Sequence, residues 1–242
     1  PVKDWVVRTF PSNPPVVNTN PEATYSERPL YSEPAYGHHY IVVATPNHAE
    51  GFTDMSLNQM SNVLTTVQDK VRWLYSQKKV SYVAVFVNRC EETGSAESHP
   101  HLHVLTLPQV PPYIEQEALV VQKSMTDGVD CPMCTVMNVE LGGPRQILAT
   151  DFFLAIAPWA SSHSYEFWIF PKKHQTSFLK VTQKEIADLA MILRCTLGGM
   201  ATVLDNPPFN MVFHISSEKK TTRQIHWHIE VYPHRSRWGG LE

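Results

Sequence analysis

Two periods of hydrophobic and polar positions follow one another along this chain. From His39 to Thr45 the run HYIVVAT is β-branched and aromatic and stops at Pro46, which predicts a buried strand. At Ser56 the period changes. Leu57, Met60, Leu64, Val67, Val71 and Leu74 recur at steps of three and four, which predicts a helix, with Ser56 and Gln59 as its capping box. SYVAVFVN, ending at Asn88, predicts a second strand, and HPHLHVLTL from His99 a third. Ahead of them all, the stretch from Pro11 to Pro34 is rich in proline and polar residues, which predicts a loop-rich arm packed on the rest.

The same order of signals returns in the second half. Tyr165 to Phe170 predicts a strand ending at Pro171, Thr182 with Glu185 a capping box, Ile186 to Val203 a helix, and Asn210 to Ser216 and HWHIEVY from His226 two more strands. His48 is followed by Phe52, Met55 and Ser56, and His174 by Phe178, Val181 and Thr182 at the same offsets. The step from His48 to His99 is 51 residues and that from His174 to His226 is 52. We read a duplicated strand–helix–strand–strand unit, residues 1–125 and 126–242, within one compact domain. Short connections then favour an α+β fold with one continuous, mainly antiparallel sheet flanked by helices.

At 242 residues the chain is long enough to bury a core without disulfides or metal, so stability alone does not account for its twelve histidines. Twenty basic against 23 acidic side chains give a net charge of −3, which offers no general attraction to nucleic acid or to an anionic membrane. No run reaches the ~18–20 consecutive apolar residues of a membrane span. The opening PVKDWVVRTF has no long apolar region or small-residue cleavage site of a secretory signal. Four cysteines, two of them in a CxxC, suit a reducing compartment, so a cytoplasmic protein is expected.

HPHLH is the sharpest chemical signal. On a strand His99, His101 and His103 point to one face, and three imidazoles there need partners for six ring nitrogens. Metal binding and acid–base or nucleophilic work are the two uses of such a set. The preceding loop holds Gly94, Ser95 and Ser98, which suit a turn presenting N–H groups and hydroxyls to phosphate. A neutral imidazole attacks phosphorus well, and its phosphoramidate discharges readily to a second acceptor. His101, flanked on its own face by His99 and His103, is the preferred nucleophile, with His103 in reach of the leaving or attacking oxygen. In the second half His228 and Glu230 take the repeat positions of His101 and His103, with Trp227 for Pro100, so this copy reads as catalytically retired. His38, His39, His163 and His234 read as surface or loop residues, and Cys90 and Cys195 as small buried ones.

CPMC at Cys131 and Cys134 opens the second unit. A CxxC with two distant histidines is a tetrahedral zinc pattern, and the repeat singles out His174 and His226 as the partners.

Asn88, Gly94, HPHLH, the duplicated half and HWHIEVYP together resemble the galactose-1-phosphate uridylyltransferase family, the transferase branch of the histidine triad superfamily. The resemblance runs from WVVRTFP at Trp5 to RWGGLE at Glu242. It implies two histidine-triad-like units in one sheet, usually paired as a homodimer. It also implies uridylyl transfer from UDP-glucose to galactose 1-phosphate through a covalent uridylyl-histidine. By position, His101 matches the nucleophile and Asn88 a phosphate-side contact. Arg8, Thr9 and Phe10 match the segment that contacts the nucleoside. Cys131, Cys134, His174 and His226 match a structural zinc site. Other family members hold metal through a carboxylate and three histidines, and the matching residues are Glu117, His214, His226 and His228.

Departures from the family pattern leave an alternative open. His103 stands where the family carries glutamine and where nucleotide hydrolases of the superfamily carry histidine, so an ADP-sugar or dinucleoside polyphosphate phosphorylase or hydrolase is the second reading. The serine usual five residues before the nucleophile is Ala96 here. The first half has no CxxC, which leaves His48 and His99 where a second metal would sit. Glu242 falls near where the family continues into a segment contacting the sugar.

Overall fold

Strand alternation and helix caps account for most of the architecture. The computed structural model describes residues 4–22, 27, 30, 32–95, 99–220 and 222–234. Among the described residues nine strands form one sheet: Arg8–Pro11 (β1), His39–Val43 (β2), Tyr82–Arg89 (β3), His101–Leu107 (β4), Gln146–Ala149 (β5), Phe153–Ile156 (β6), Phe167–Pro171 (β7), Phe209–His214 (β8) and His228–Pro233 (β9). Their order is β1-β2-β4-β3-β8-β9-β7-β6-β5, and each neighbouring pair is antiparallel. The expected α+β fold with a continuous antiparallel sheet is therefore the one observed. On either side of the β3–β8 pair the strands mirror each other, β2-β4-β3 against β8-β9-β7.

Helices Leu57–Tyr75 (α1) and Gln183–Leu204 (α4) pack together and on the sheet. Thr182 caps α4 with a full box, its hydroxyl accepting from Glu185 N while the Glu185 carboxylate accepts from Thr182 N. Ser56 caps α1 in the same way with its hydroxyl, but the Gln59 side chain turns away to donate to the carbonyls of Val6 and Ala44. It thereby ties the chain ahead of β1 to the end of β2. Period-two alternation puts Val42, Val83, Val85, Val87, Leu102 and Val104 under the helices, in one core with Met60, Leu64, Leu74, Leu189 and Leu193. Truncating one of these leucines to alanine costs about 2–5 kcal/mol. The same alternation forces His101 and His103 onto the opposite face.

By length and composition α4 could cross a membrane, with 22 residues and a mean hydropathy of 1.5. Here its apolar stripe, Ile186, Leu189, Ile192, Leu193 and Leu197, lies buried in the core. Pro112–Thr126 (α2) and Pro132–Glu140 (α3) lie between the halves in sequence and, like β5 and β6, carry too few periodic positions to be read in advance. The boundary drawn between residues 125 and 126 falls in the last turn of α2. Within the arm, Val17 is buried and Asn18 bridges to Tyr36.

Candidate active site

The histidine row begins where β4 begins. His99 lies two residues before the strand. Its Nε2 donates to the Thr45 carbonyl at 2.6 Å and its Nδ1 meets His48 Nδ1 at 2.9 Å. Among the described residues no third metal-ligating side chain joins this pair.

His101 and His103 stand side by side on the free face of β4. His101 Nδ1 faces the His99 carbonyl at 2.8 Å, and its Nε2 lies 3.2 Å from His103 Nε2. A carbonyl only accepts, so His101 carries its hydrogen on Nδ1 and leaves the Nε2 lone pair as the nucleophilic atom. His103 Nδ1 in turn meets His39 Nε2 at 3.0 Å. Burial, and then the neighbouring His101 and His39, push His103 down to about 4, so the ring is neutral at pH 7. Burial lowers His39 as well.

His39 is thus a correction to the sequence reading, which placed it on a loop or the surface. It is the first residue of β2, 6% exposed, and lies opposite Leu105 on the same sheet face as His103. A histidine at the mouth of a strand looks like a loop residue until the pairing partner is known. Cys90 and Cys195, expected to be buried, are exposed. Cys90 sits at φ 76° beside the site, in the turn leading to Gly94, and Cys195 lies on the outer side of α4.

A cavity of about 820 Å³ opens beside His101, at the end of β3 and the start of β4. Asn88, Cys90, Ser95, His99 and His48 line it with His101. Asn88 Oδ1 accepts from Asn210 Nδ2 at 2.7 Å. Gly94 follows the 3-10 turn at φ 91°, a conformation strained for any side chain. Ser98 lies outside the described residues, as do Ala96 and the RWGGLE segment. Arg8, Thr9 and Phe10 are not brought into the cavity. On edge strand β1, Arg8 pairs with Val43, itself opposite His101, and Phe10 with Ile41, opposite His103. They stand two strands, roughly 10 Å, from the histidines.

In the second half the four residues singled out as a metal set do converge. Cys131, Cys134, His174 and His226 bring their ligand atoms within 4.8 Å of one another. Cys134 Sγ lies 3.3 Å from His174 Nδ1 and 3.4 Å from His226 Nδ1. These are edge lengths of a tetrahedron around an ion with bonds of about 2.0–2.3 Å. His226 Nε2 donates to the Pro171 carbonyl at 2.9 Å, which leaves Nδ1 bare toward the centre. The residues fit a thiolate–imidazole metal centre.

Glu117, His214 and His228 form a separate cluster, and Glu230 joins it. Both residue sets matched by the resemblance include His226, but here it stands with the cysteines alone. His228 repeats the His101 geometry, its Nδ1 facing the His226 carbonyl at 2.9 Å. Its Nε2, however, meets Glu230 Oε1 at 3.0 Å. Burial works against a charged ring, but the Glu230 hydrogen bond and the Glu117 and Glu230 charges outweigh it and raise His228. With an acceptor facing each nitrogen, this ring turns no lone pair toward the free face.

One sheet built from two mirrored halves, with a histidine row beside a cavity in one and a Cys2His2 cluster in the other, is that of a histidine-triad-type enzyme. The family model "Galactose-1-phosphate uridyl transferase, N-terminal domain" matches residues 9–111. An ADP-glucose phosphorylase of Arabidopsis thaliana is 26% identical over 99% of this chain and 69% of its own length. A galactose-1-phosphate uridylyltransferase of Thermotoga maritima is 28% identical over 96% of this chain and 74% of its own. A solved uridylyltransferase mutant superposes with a TM-score of 0.90 at 29% identity, over 96% of this chain and 77% of that one. The chain is thus similar to the galactose-1-phosphate uridylyltransferase family over nearly its whole length.

Proposed function

We propose that the protein is a nucleotidyltransferase that works through a covalent nucleotidyl-His101. The observation that carries this reading is the bare Nε2 of His101 beside the 820 Å³ cavity, with its Nδ1 tied to the His99 carbonyl. In the first half-reaction the His101 Nε2 pair attacks the α-phosphorus of UDP-glucose. The bond to the bridging oxygen breaks and glucose 1-phosphate leaves with that electron pair. A phosphate oxygen of galactose 1-phosphate then attacks the same phosphorus and returns the pair to His101. Nε2 can no longer accept a hydrogen bond once it is bonded to phosphorus, so His103 Nε2–H turns to a phosphoryl oxygen. Asn88 and Ser95 serve the phosphate side, and Arg8, Thr9 and Phe10 the nucleoside, which requires the edge strand and the cavity to be bridged by substrate.

Zn²⁺ is the ion we assign to Cys131, Cys134, His174 and His226, where it would supply a structural lock. The reading also carries a cytoplasmic homodimer acting on small phosphorylated substrates rather than on nucleic acid or membrane. Light scattering on the purified protein tests the dimer.

A second reading is favoured by His103, an imidazole where the family carries glutamine, and by the likeness to an ADP-glucose phosphorylase. There the donor is ADP-glucose and the acceptor phosphate or water. Rapid quench with labelled UDP-glucose or ADP-glucose should trap label on the protein and lose it in His101→Ala. Product analysis with galactose 1-phosphate, with phosphate and with neither then separates the two. No adduct from either donor overturns both.

A further inference from the structure

We propose that His39 is a positioning residue that fixes the tautomer of His103 and so presents an N–H, not a lone pair, toward His101 and the phosphoryl group it carries. The chain of contacts allows one arrangement of hydrogens. Val16 N–H donates to His39 Nδ1 at 3.2 Å, and a backbone amide cannot accept, so Nδ1 of His39 is bare. Its hydrogen is then on Nε2, which faces His103 Nδ1 at 3.0 Å and makes that nitrogen the acceptor. His103 therefore carries its hydrogen on Nε2, 3.2 Å from His101 Nε2. The far end closes on the His99 carbonyl, which requires the hydrogen of His101 on Nδ1. Three neutral rings thus run from a backbone donor to a backbone acceptor with every ring nitrogen matched.

A ring turned by half a circle would set carbon atoms against His39 and His101 and lose both hydrogen bonds. The plane of the His103 ring is held by Phe86, 4.9 Å away at an interplanar angle of 15°, while its edge meets the edge of His39. Exchanging its tautomer in place would set two hydrogens against each other at His39 and two lone pairs against each other at His101. A His103 with bare Nε2 would repel phosphoryl oxygens that an N–H attracts. Charge develops on those oxygens in the transition state, so the donor acts there rather than on ground-state binding.

The role in transfer rests on the proposed nucleotidyl-His101 chemistry, whereas the tautomer assignment does not. Nitrogen-15 spectra of histidine-labelled protein should show His103 protonated on Nε2 in the wild type. His39→Phe keeps a ring but no donor and should give a mixture of tautomers. His39→Gln, whose amide can accept from Val16 and donate to His103, should restore the wild-type signal. In rapid quench, His39→Phe should slow adduct formation at least about tenfold with little change in the donor concentration needed for half-saturation, and His39→Gln should stay within about threefold. A wild-type His103 protonated on Nδ1 overturns the inference without any variant. So does a folded His39→Phe that forms adduct at the wild-type rate. If the wild type forms no adduct, the transferase reading falls and the spectra still decide the assignment.

Discussion

Asn210, on β8 of the second half, donates its side-chain amide to Asn88 Oδ1 at 2.7 Å across the central strand pair. Its own Oδ1 accepts from His234 Nε2 at 2.6 Å. Asn88 is thereby held by the acceptor end of its amide, with Nδ2 left on the side of Gly94 and the cavity. The two halves share one site wall in this way. Asn210→Ala frees the Asn88 amide to flip, at a cost of about 1 kcal/mol in the phosphate contact, or roughly fivefold in kcat/KM. Asn210→Asp keeps an oxygen toward His234 but presents no donor to Asn88, and should cost at least as much. Steady-state kinetics with thermal melts as the control check this. Wild-type kcat/KM in both variants would remove Asn210 from the site.

Neutral His103 makes stability depend on pH in a defined window. Folded His103 binds its proton only below about 4, whereas the unfolded residue does so near 6.5. Between these values the unfolded chain binds more protons, so stability rises with pH across about 4 to 6.5 and this contribution is flat above it. Urea melts of the wild type and of His103→Gln at several pH values should show a difference that shrinks as pH falls through the window. A difference independent of pH would mean that folding leaves the proton affinity of His103 unshifted. Adduct formation should also fade on the acid side, because a protonated His103 presses its charge on His101.

Periodicity revealed the strands and the two long helices because β2, β4, α1 and α4 each bury a regular face. The Cys131, Cys134, His174 and His226 cluster was legible for another reason: a repeat transfers position, and position was all that was needed. What the sequence hid was pairing. His39 and His103 are 64 residues apart, and only the β2–β4 register makes them neighbours. Glu117 on α2 stood beside His214 and His228 only through the family resemblance, since the weak apolar pattern of α2 does not announce the contact. Conversely, the matched segment Arg8 to Phe10 proved to be a strand edge two places from the cavity, which a linear match does not distinguish from a cavity wall.

Removing metal should weaken the fold more than the chemistry. The CxxC straddles the start of α3, Cys131 as its N-cap and Cys134 in its first turn, while His174 follows β7 and His226 precedes β9. An ion there would tie a helix to two strands that are neighbours in the sheet. Without an ion, burial and the adjacent Cys131 raise the Cys134 thiol to about 12, so it would sit as a neutral thiol. Free zinc at a hundredfold its Kd contributes about 2.7 kcal/mol, which corresponds to about 5–11 °C in Tm for a chain of this size. Dialysis against a chelator should lower Tm by that amount and zinc should restore it, as metal analysis at one ion per chain would confirm. Cys134→Ser should melt low with or without zinc. An unchanged Tm after verified metal removal would contradict a structural lock.

Glu230 marks the second copy of the histidine row as a structural element. It accepts from His228 Nε2 at 3.0 Å and lies 3.3 Å from His214 Nε2, while Glu117 Oε2 faces His214 Nδ1 at 3.2 Å. His214, His228 and Glu230 are all buried, so each polar group relies on its partners. Deleting one member strands the others in a medium that solvates them poorly. Glu230→Ala should therefore cost about 3–5 kcal/mol, or roughly 6–20 °C in Tm. Glu230→Gln, which keeps an acceptor for His228, should cost less. In both variants the rate of adduct formation at His101 should stay within about twofold at a temperature where the protein is folded, because Glu230 lies three strands from His103, beyond β3 and β8. Calorimetry on each variant alongside rapid quench checks the two halves of this prediction separately. A stable Glu230→Ala protein with a slowed His101 would mean that the second row takes part in the reaction after all.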